Sequence, residues 1–344
     1  MKKYLLPLLI IALVGLSFYY WNTNRQNSTL SDKSAAIAFP QTDVIQKIVI
    51  ADDDGKVVLT KEANGSWSVN NRYYVQQAVI DLTLETLRRM RIDYPVSKSA
   101  YDYVMELLTQ RSKHIAIYTD NMQTPARSYL MGNATSTLNG TYLMIEGSNE
   151  PYVVTIPGME GHIDIRFSSL INNWRDRSVF NIAPQNIRSI EMAYPSVPKE
   201  GFTLFQYGTD SISITPLDKT ISTKPASELN KSRAKEFLQQ FGNLNLEAYD
   251  NEVSFKDSIL HAPYFCKITL TKTDNTQQIA QLYYKPINKR SKSQTDHQGN
   301  PLKHDIDRYY ALINEGRDFV IIQDFTFRNV IIPYSGFFFD ADKK

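Results

Sequence analysis

One short segment of the second half gathers histidines and carboxylates, the side chains that proteins use to bind metal ions. Its candidate ligands are Asp296, His297, His304, Asp305 and Asp307. Their spacing matches no standard zinc or calcium pattern, and Gly299, Asn300 and Pro301 are typical of a loop. We therefore interpret the segment as a solvated loop and predict no metal site. The basic run Lys285–Lys292 before it is interpreted as an exposed loop rather than an anion site.

A serine and a lysine have the spacing used by penicillin-binding enzymes in the stretch Ser196–Lys199. That chemistry needs both side chains on one turn at the start of a helix. Pro195, Pro198 and Gly201 instead predict a loop between two strands. The chain also lacks a Gly-x-Ser-x-Gly elbow, a phosphate-binding loop and a dinucleotide fingerprint. We therefore predict no catalytic residues, no cofactor and no enzymatic activity.

Two aromatic segments could either contact a partner or stabilise the fold. The segment Trp174–Arg177 lies where the first half of the chain meets the second. Tryptophan and arginine are enriched at binding hot spots, but we interpret these residues as fixing the angle between two structural units. The run Phe337–Phe339 is predicted to close the core of the second half, whereas an exposed version would mark a partner or membrane contact.

Charge and cysteine content restrict the possible partners. The chain has 38 Lys and Arg against 36 Asp and Glu, for a net charge of +2. Lys2 and Lys3 account for that excess, so the remainder is neutral and lacks the basic surface that nucleic-acid binding requires. We predict no nucleic-acid partner. Cys266 is the single cysteine and is predicted to be a small buried apolar residue.

An apolar N-terminal run predicts attachment to a membrane. No charged residue occurs from Tyr4 to Trp21, and a helix of roughly 17 residues or more can span a bilayer. The run ends in Phe18–Trp21, where a signal peptidase would need small residues and where an interfacial aromatic belt would lie. We predict an uncleaved anchor, with a cleaved signal peptide as the alternative. Lys2 and Lys3 place the N-terminus in the cytoplasm and the rest in the periplasm.

The elements that must position these residues follow a repeated pattern. The segment Ile45–Ile50 recurs in form as Ile187–Met192, and in both halves alternating strands, a helical stripe and a hairpin follow. The two predicted helical stripes are Val79, Leu82, Leu87 and Met90, and Ala234, Phe237, Leu238 and Phe241. We therefore predict an α+β fold, with an N-terminal transmembrane helix and two similar units of antiparallel sheet with packed helices.

The predicted organisation has four parts, namely anchor, flexible stalk, first α+β unit and second α+β unit, at residues 1–21, 22–43, 44–182 and 183–344. The stalk is rich in Ser, Asn and Thr. If the halves are repeats, Leu59 should correspond to Leu204, and Asp120 to Asp274. Both helical stripes should be buried against their sheets.

Three sets of motifs occur in an order that carries a resemblance. They are Gly55–Leu59 leading into Gly65–Val69, Tyr142 with Tyr152–Val154, and Asn173–Phe180 leading into Ile187–Met192. In this order they resemble the DUF4340 family, a domain of unknown function in membrane-anchored bacterial envelope proteins. The resemblance implies an N-terminal membrane anchor and duplicated α+β units outside the cytosol, with no established activity or cofactor. Some relatives are similar to products encoded near transporter or gliding-motility components, which implies an accessory role.

These observations favour a non-enzymatic scaffold, binding or accessory component of an envelope complex. Its predicted partners are the cytoplasmic membrane, through residues 4–21, and an unidentified envelope protein. The alternative is an extracytoplasmic enzyme acting on cell-wall or polysaccharide material, whose carboxylates one sequence does not reveal. A deep pocket lined by close carboxylates would favour the enzyme, and a broad apolar surface would favour the scaffold.

Overall fold

A computed structural model describes residues 37–208, 211–289, 291–296 and 298–339 of the chain. The predicted anchor, residues 4–21, lies outside these ranges, as does most of the predicted stalk. Within the described ranges, no helix combines the length and apolar character needed to cross a membrane. The chain divides between Asp176 and Arg177 into two compact units, which we call unit 1 and unit 2.

Unit 1 is built on one antiparallel sheet of nine strands in its described part. The strands are β1 Lys47–Asp52, β2 Gly55–Lys61, β3 Trp67–Val69, β4 Tyr73–Tyr74, β5 Arg91–Pro95, β6 Lys113–Tyr118, β7 Arg127–Ala134, β8 Thr141–Ile145 and β9 Tyr152–Thr155. The helices are α1 Gln77–Arg89 and α2 Tyr101–Gln110. Apolar side chains of β1 and β2 alternate between buried and half-buried positions, so one face of this sheet forms the core.

Unit 2 contains an antiparallel sheet of eight strands and a second sheet made of β10 and β14 alone, counted over its described residues. The strands are β10 Ser178–Phe180, β11 Ile187–Ala193, β12 Phe202–Tyr207, β13 Ser211–Pro216, β14 Leu244–Asn245, β15 Ala248–Tyr249, β16 Cys266–Lys272, β17 Gln277–Pro286, β18 His304–Ile313 and β19 Asp318–Gln323. The helices are α3 Lys231–Gln240, α4 Lys256–His261 and α5 Asp324–Phe327.

The two large sheets have the same connectivity. Their orders are β4-β3-β2-β1-β6-β7-β8-β9-β5 and β13-β12-β11-β16-β17-β18-β19-β15. The first sheet therefore repeats in the second, with β4 as an additional edge strand. In both sheets the strand after the first helix, β5 or β15, pairs at the far edge with the last strand of the unit, β9 or β19.

Strand register identifies which residues correspond in the two sheets. Leu59 lies opposite Ile48, and Leu204 lies opposite Ile190, so the two leucines are equivalent, as expected.

The second expected pair is displaced by one residue. Ile117 pairs with Ile48 and Leu270 pairs with Ile190, which makes Asn121 the counterpart of Asp274. Both side chains accept a hydrogen bond from the backbone N–H two residues later. The prediction that Asp120 corresponds to Asp274 is therefore wrong, because it aligned residue types rather than turn geometry.

The predicted fold class, α+β with an N-terminal transmembrane helix, is wrong. The described residues form three antiparallel sheets and few helices, and none of these helices could span a membrane. The longest, α1, has 13 residues, and α5 has only four. The error arose because strands of two or three residues, such as β4, β14 and β15, have no detectable period, so the strand content was underestimated.

The two helical stripes differ in how well the sequence predicted them. In unit 2, the stripe that begins at Ala234 and includes Leu238 is buried throughout. In unit 1, Leu82 is 45% exposed and Thr83 and Thr86 are fully buried instead. Each threonine donates a hydrogen bond from its hydroxyl to the carbonyl four residues earlier, which removes the cost of burying it. Two hydrogen-bonded threonines thus occupy the buried side of α1, where apolar residues were expected.

A cluster of aromatic side chains lies in the core of unit 2. The ring of Phe237 lies 5.9 Å from Phe202, 5.2 Å from Phe241 and 5.2 Å from Phe337, all in edge-to-face arrangements. Such pairs add stability beyond the area that they bury. The prediction that the C-terminal phenylalanines close this core is confirmed for Phe337 and for Phe338, which is 8% exposed.

Candidate functional site: an aromatic surface on unit 2

The segment with the predicted metal-ligand residue types contains a buried ion pair. Asp305 Oδ2 accepts hydrogen bonds from Lys285 Nζ at 3.1 Å and from Ser291 Oγ at 2.9 Å. The side chains of Lys285 and Asp305 are only 6% and 1% exposed. The solvated-loop interpretation is therefore wrong for these residues, because β17 extends through Lys285 and β18 begins before Asp305.

Hydrogen bonds favour the ionised form of the Asp305 carboxylate. Burial by itself would raise the pKa of Asp305, but hydrogen bonds from Lys285, from the Asp307 N–H and from Ser291 outweigh it and lower the pKa below its usual value. A buried carboxylate with several donors is stabilised in its ionised form. Lys285, Ser291 and Asp305 thus fix the start of β18 against the end of β17.

The side chains of the other candidate ligands do not join this pair. Asp296 is exposed and accepts hydrogen bonds from the N–H groups of Gln298 and Asn300 in its own loop. His304 stacks on a tyrosine, and His297 lies outside the described residues. Across the described part of the chain, no three His, Cys, Asp or Glu side chains are grouped so that they could hold a metal ion.

Four rings form a partly exposed patch where β16, β17 and β18 lie side by side. We define the aromatic surface as Phe265, Tyr284, His304 and Tyr309. The ring of Tyr284 stacks between His304, at 4.6 Å, and Phe265, at 4.5 Å. Phe265 also lies 5.0 Å from Tyr309. Tyr284 is 48% exposed and His304 is exposed, so part of the stack faces solvent.

Helix α5 holds one side of the aromatic surface. The Tyr309 hydroxyl donates a hydrogen bond to Asp324 Oδ1 at 2.9 Å, and Arg328 forms an ion pair with the same carboxylate at 2.8 Å. Burial, together with the negative charge of Asp324, raises the pKa of Tyr309, so this hydroxyl stays protonated. On the same helix, Phe325 is 77% exposed, with the Arg328 guanidinium 5.5 Å from its ring centroid.

Strand pairing explains how this surface forms from residues far apart in the chain. Tyr284 lies opposite Tyr309, and Pro286 lies opposite His304, with a register shift between the two pairs. The shift inserts extra residues into β18 and brings the His304 ring over Tyr284. The aromatic surface was not predicted. In the sequence, the doublets Tyr283-Tyr284 and Tyr309-Tyr310 could have indicated it. Neighbouring residues of a strand face opposite sides of a sheet, so each doublet places one tyrosine on each face.

The other residues that the sequence analysis singled out lie in the cores or in connections between strands. Trp174 is buried in the core of unit 1, and its Nε1 donates a hydrogen bond to the Ser168 carbonyl at 2.8 Å. The guanidinium of Arg175 lies 3.7 Å above the ring of Tyr73. Ser196 and Lys199 lie in the connection between β11 and β12. Cys266 is fully buried, and burial raises the pKa of its thiol.

Each unit has an open cleft in its described part. The cleft of unit 1 has a volume of about 680 Å³ and is lined by residues of β2, β3 and β4. The cleft of unit 2, of about 720 Å³, includes Asp274 and Glu315 in its lining. Each of these carboxylates has a local partner, because Asp274 accepts a hydrogen bond from Thr276 and Glu315 forms an ion pair with Arg317.

The fold and site together define a class, a tandem antiparallel-sheet protein with an aromatic surface on its second unit. The model of a family described as a domain of unknown function (DUF4340) matches residues 103–263. The chain therefore resembles this family, as its motifs indicated. The match begins in α2 and ends just after α4. These helices precede the equivalent strands β6 and β16, so the match spans one period of the repeated connectivity. No curated protein and no solved structure matches the chain.

Proposed function

We propose that the protein is a non-enzymatic binding component of a bacterial envelope assembly. In this proposal residues 4–21 attach it to the cytoplasmic membrane, and the two units lie in the periplasm and contact a protein partner. The observation that carries the proposal is the aromatic surface, because partly exposed, rigid aromatic side chains are enriched where proteins bind each other.

The surroundings of the aromatic surface support binding rather than a purely structural role. Tyr309 and Asp324 fix the stack from one side, and the buried Lys285–Asp305 pair fixes the strand ends that carry Tyr284 and His304. A stack held in this way loses little conformational entropy when a partner covers it. Phe325 and Arg328 add an apolar ring and a charge at its margin, a composition that resembles an interface core with a polar rim.

Replacing both Tyr284 and His304 with alanine should strongly reduce capture of the partner. Loss of a hot spot worth about 2 kcal/mol or more weakens binding by roughly 30-fold. The measurement is photocrosslinking in intact membranes from a probe at Phe325, with and without the double substitution. The captured protein is then purified, and its affinity for both forms is determined.

Tyr207 provides the matched control, since it is a 61% exposed tyrosine on β12 of the same unit. Its replacement by alanine should leave capture unchanged. Equal losses in the two variants, or equal affinities of the purified partner for the native and doubly substituted proteins, would contradict the proposed site.

The proposed location has its own test. Protein purified from membranes should retain its original N-terminus, and a periplasmic reporter fused after Lys344 should be active while a cytosolic reporter should not. The uncharged run 4–21, with lysines before it, gives this expectation. A mature N-terminus near Asn22 would indicate a cleaved signal instead.

A further inference from the structure

Arg166 in unit 1 is half-buried and has no carboxylate partner among the described residues. Its Nη1 donates a hydrogen bond to Thr86 Oγ1 at 2.9 Å, and its Nη2 donates to Met159 Sδ at 2.7 Å. A thioether is a weak acceptor, and a guanidinium removed from water usually pairs with a carboxylate or a phosphate. The positive charge of Arg166 is therefore left unbalanced by the described chain.

A second arginine, Arg89, reaches the same part of unit 1. Burial lowers the pKa of Arg166, and repulsion by the nearby charge of Arg89 lowers it further. Both side chains approach the same turn, because Arg89 Nη2 donates a hydrogen bond to the Pro157 carbonyl at 3.2 Å and Arg166 contacts Met159. Two like charges are thus held close together.

The local carboxylate does not balance this pair. Glu85 accepts from Arg88 through one oxygen and lies 3.4 Å from Arg89 through the other. Arg91 instead donates to the carbonyls of Arg88 and Met90. Glu85 is therefore paired with Arg88 and Arg89, and neither Arg91 nor Arg166 forms an ion pair with a carboxylate of the described residues.

A structural role explains only part of this cluster. Basic residues in the last turn of a helix stabilise its C-terminal carbonyls, which accounts for Arg88 and Arg89. Arg91, just after the helix, donates to the carbonyls of Arg88 and Met90 and has the same role. Arg166 belongs to a different segment, the turn Asp164–Arg166, and adds a further positive charge near the end of this helix. Burial and the charge of Arg89 both disfavour the charged form of Arg166, and an anion held by the two guanidinium groups would offset both effects.

We propose that Arg89 and Arg166 form a binding site for a phosphate group. Two guanidinium forks can hold the oxygens of one phosphate through paired, charge-assisted hydrogen bonds. The phosphate can belong to a soluble phosphate ester or to the headgroup of a phospholipid. The site lies in unit 1 and is independent of the aromatic surface.

The test measures the thermal stability of the purified full-length protein, because a ligand that binds only the folded state raises the melting temperature. The probes are inorganic phosphate and short-chain phosphatidylglycerol below its micelle concentration. Sodium chloride of equal ionic strength and short-chain phosphatidylcholine are their respective references. The native protein should be stabilised in a saturable way by phosphate, by phosphatidylglycerol, or by both. Stabilisation by phosphate alone indicates a soluble ester as the ligand, and stabilisation by phosphatidylglycerol alone indicates a lipid headgroup.

The variant Arg89→Gln/Arg166→Gln should lose this affinity by about tenfold or more, the effect of removing one charge-assisted hydrogen bond or more. Arg88→Gln/Arg91→Gln removes the same charge from the same cluster and should change the affinity less than threefold. Arg166→Lys keeps the charge without the planar fork and should bind more weakly than the native protein. Equal losses in the two double variants, or no stabilisation of the native protein by either probe, would overturn the proposal.

Discussion

Replacing Lys285 with methionine is expected to lower the free energy of unfolding by about 3–5 kcal/mol, because it leaves the Asp305 carboxylate buried without its cation. Ser291 and the Asp307 N–H still donate to this carboxylate, but neither supplies charge. Chemical denaturation monitored by tryptophan fluorescence and circular dichroism measures the change. Lys303→Met is the control, since Lys303 is an exposed lysine one residue before β18, and its effect should stay within about 0.5 kcal/mol.

The double variant Lys285→Met/Asp305→Leu separates the charge from the packing. Apolar replacement of a whole buried ion pair is often neutral or stabilising, so the double variant should recover most of the lost stability. If it is as unstable as Lys285→Met, packing around the pair rather than charge determines the loss.

Acid provides an independent check on the same pair. The pKa of Asp305 in the folded protein lies below its unfolded value. The stability that this carboxylate contributes is therefore complete above the unfolded pKa and is lost as the pH falls through the folded pKa. The Lys285→Met variant lacks the cation that lowers this pKa, so its stability should fall less steeply than that of the native protein as the pH is lowered through this range.

Replacing Phe237 with alanine is expected to cost about 3–5 kcal/mol, the usual range for removing a large aromatic side chain from a core. Its ring contacts Phe202, Phe241 and Phe337, so the cavity would open at the centre of the unit 2 cluster. Urea denaturation should show a lower midpoint with an unchanged slope.

The matched control for Phe237 is Phe339, which is 61% exposed. Phe339→Ala should alter stability by less than about 0.5 kcal/mol, as expected for a surface position. A loss below 1 kcal/mol in Phe237→Ala would mean that the neighbouring rings fill the cavity, and that Phe237 is not the centre of this core.

The sequence predicted the parts of the fold that have a long, regular pattern. The strands β1 and β11 alternate clearly, β8 and β9 are apolar runs separated by a turn, and the stripe that contains Leu238 has a helical period. The sequence pattern failed where polar side chains are buried, as at Thr83. There a hydrogen bond to the helix backbone offsets the cost of burying the hydroxyl. It also failed for the shortest strands, since the two residues of β15 form a strand only through pairing with β19.

The candidate site was harder to predict, for a physical reason. Tyr284 and His304 meet because of a register shift between β17 and β18, and a shift of this kind leaves no pattern in either strand. Lys285 and Asp305 have the residue types of an exposed loop, yet each makes the other's burial possible. The residue types and their position in the chain indicated exposure to solvent, whereas the pairing of β17 with β18 places both side chains in the interior.

The strand order also constrains when each unit can finish folding during synthesis. β5 is made early in unit 1, but its partner is β9, the last strand of that sheet. In unit 2, β15 can pair only after β19 has been synthesised, and Phe202 can pack only after Phe337, near the C-terminus, has been synthesised. Each sheet can therefore close its far edge only after nearly all of its residues have left the ribosome. Ribosome stalling before Phe337 should therefore leave unit 2 sensitive to protease while unit 1 is already protected.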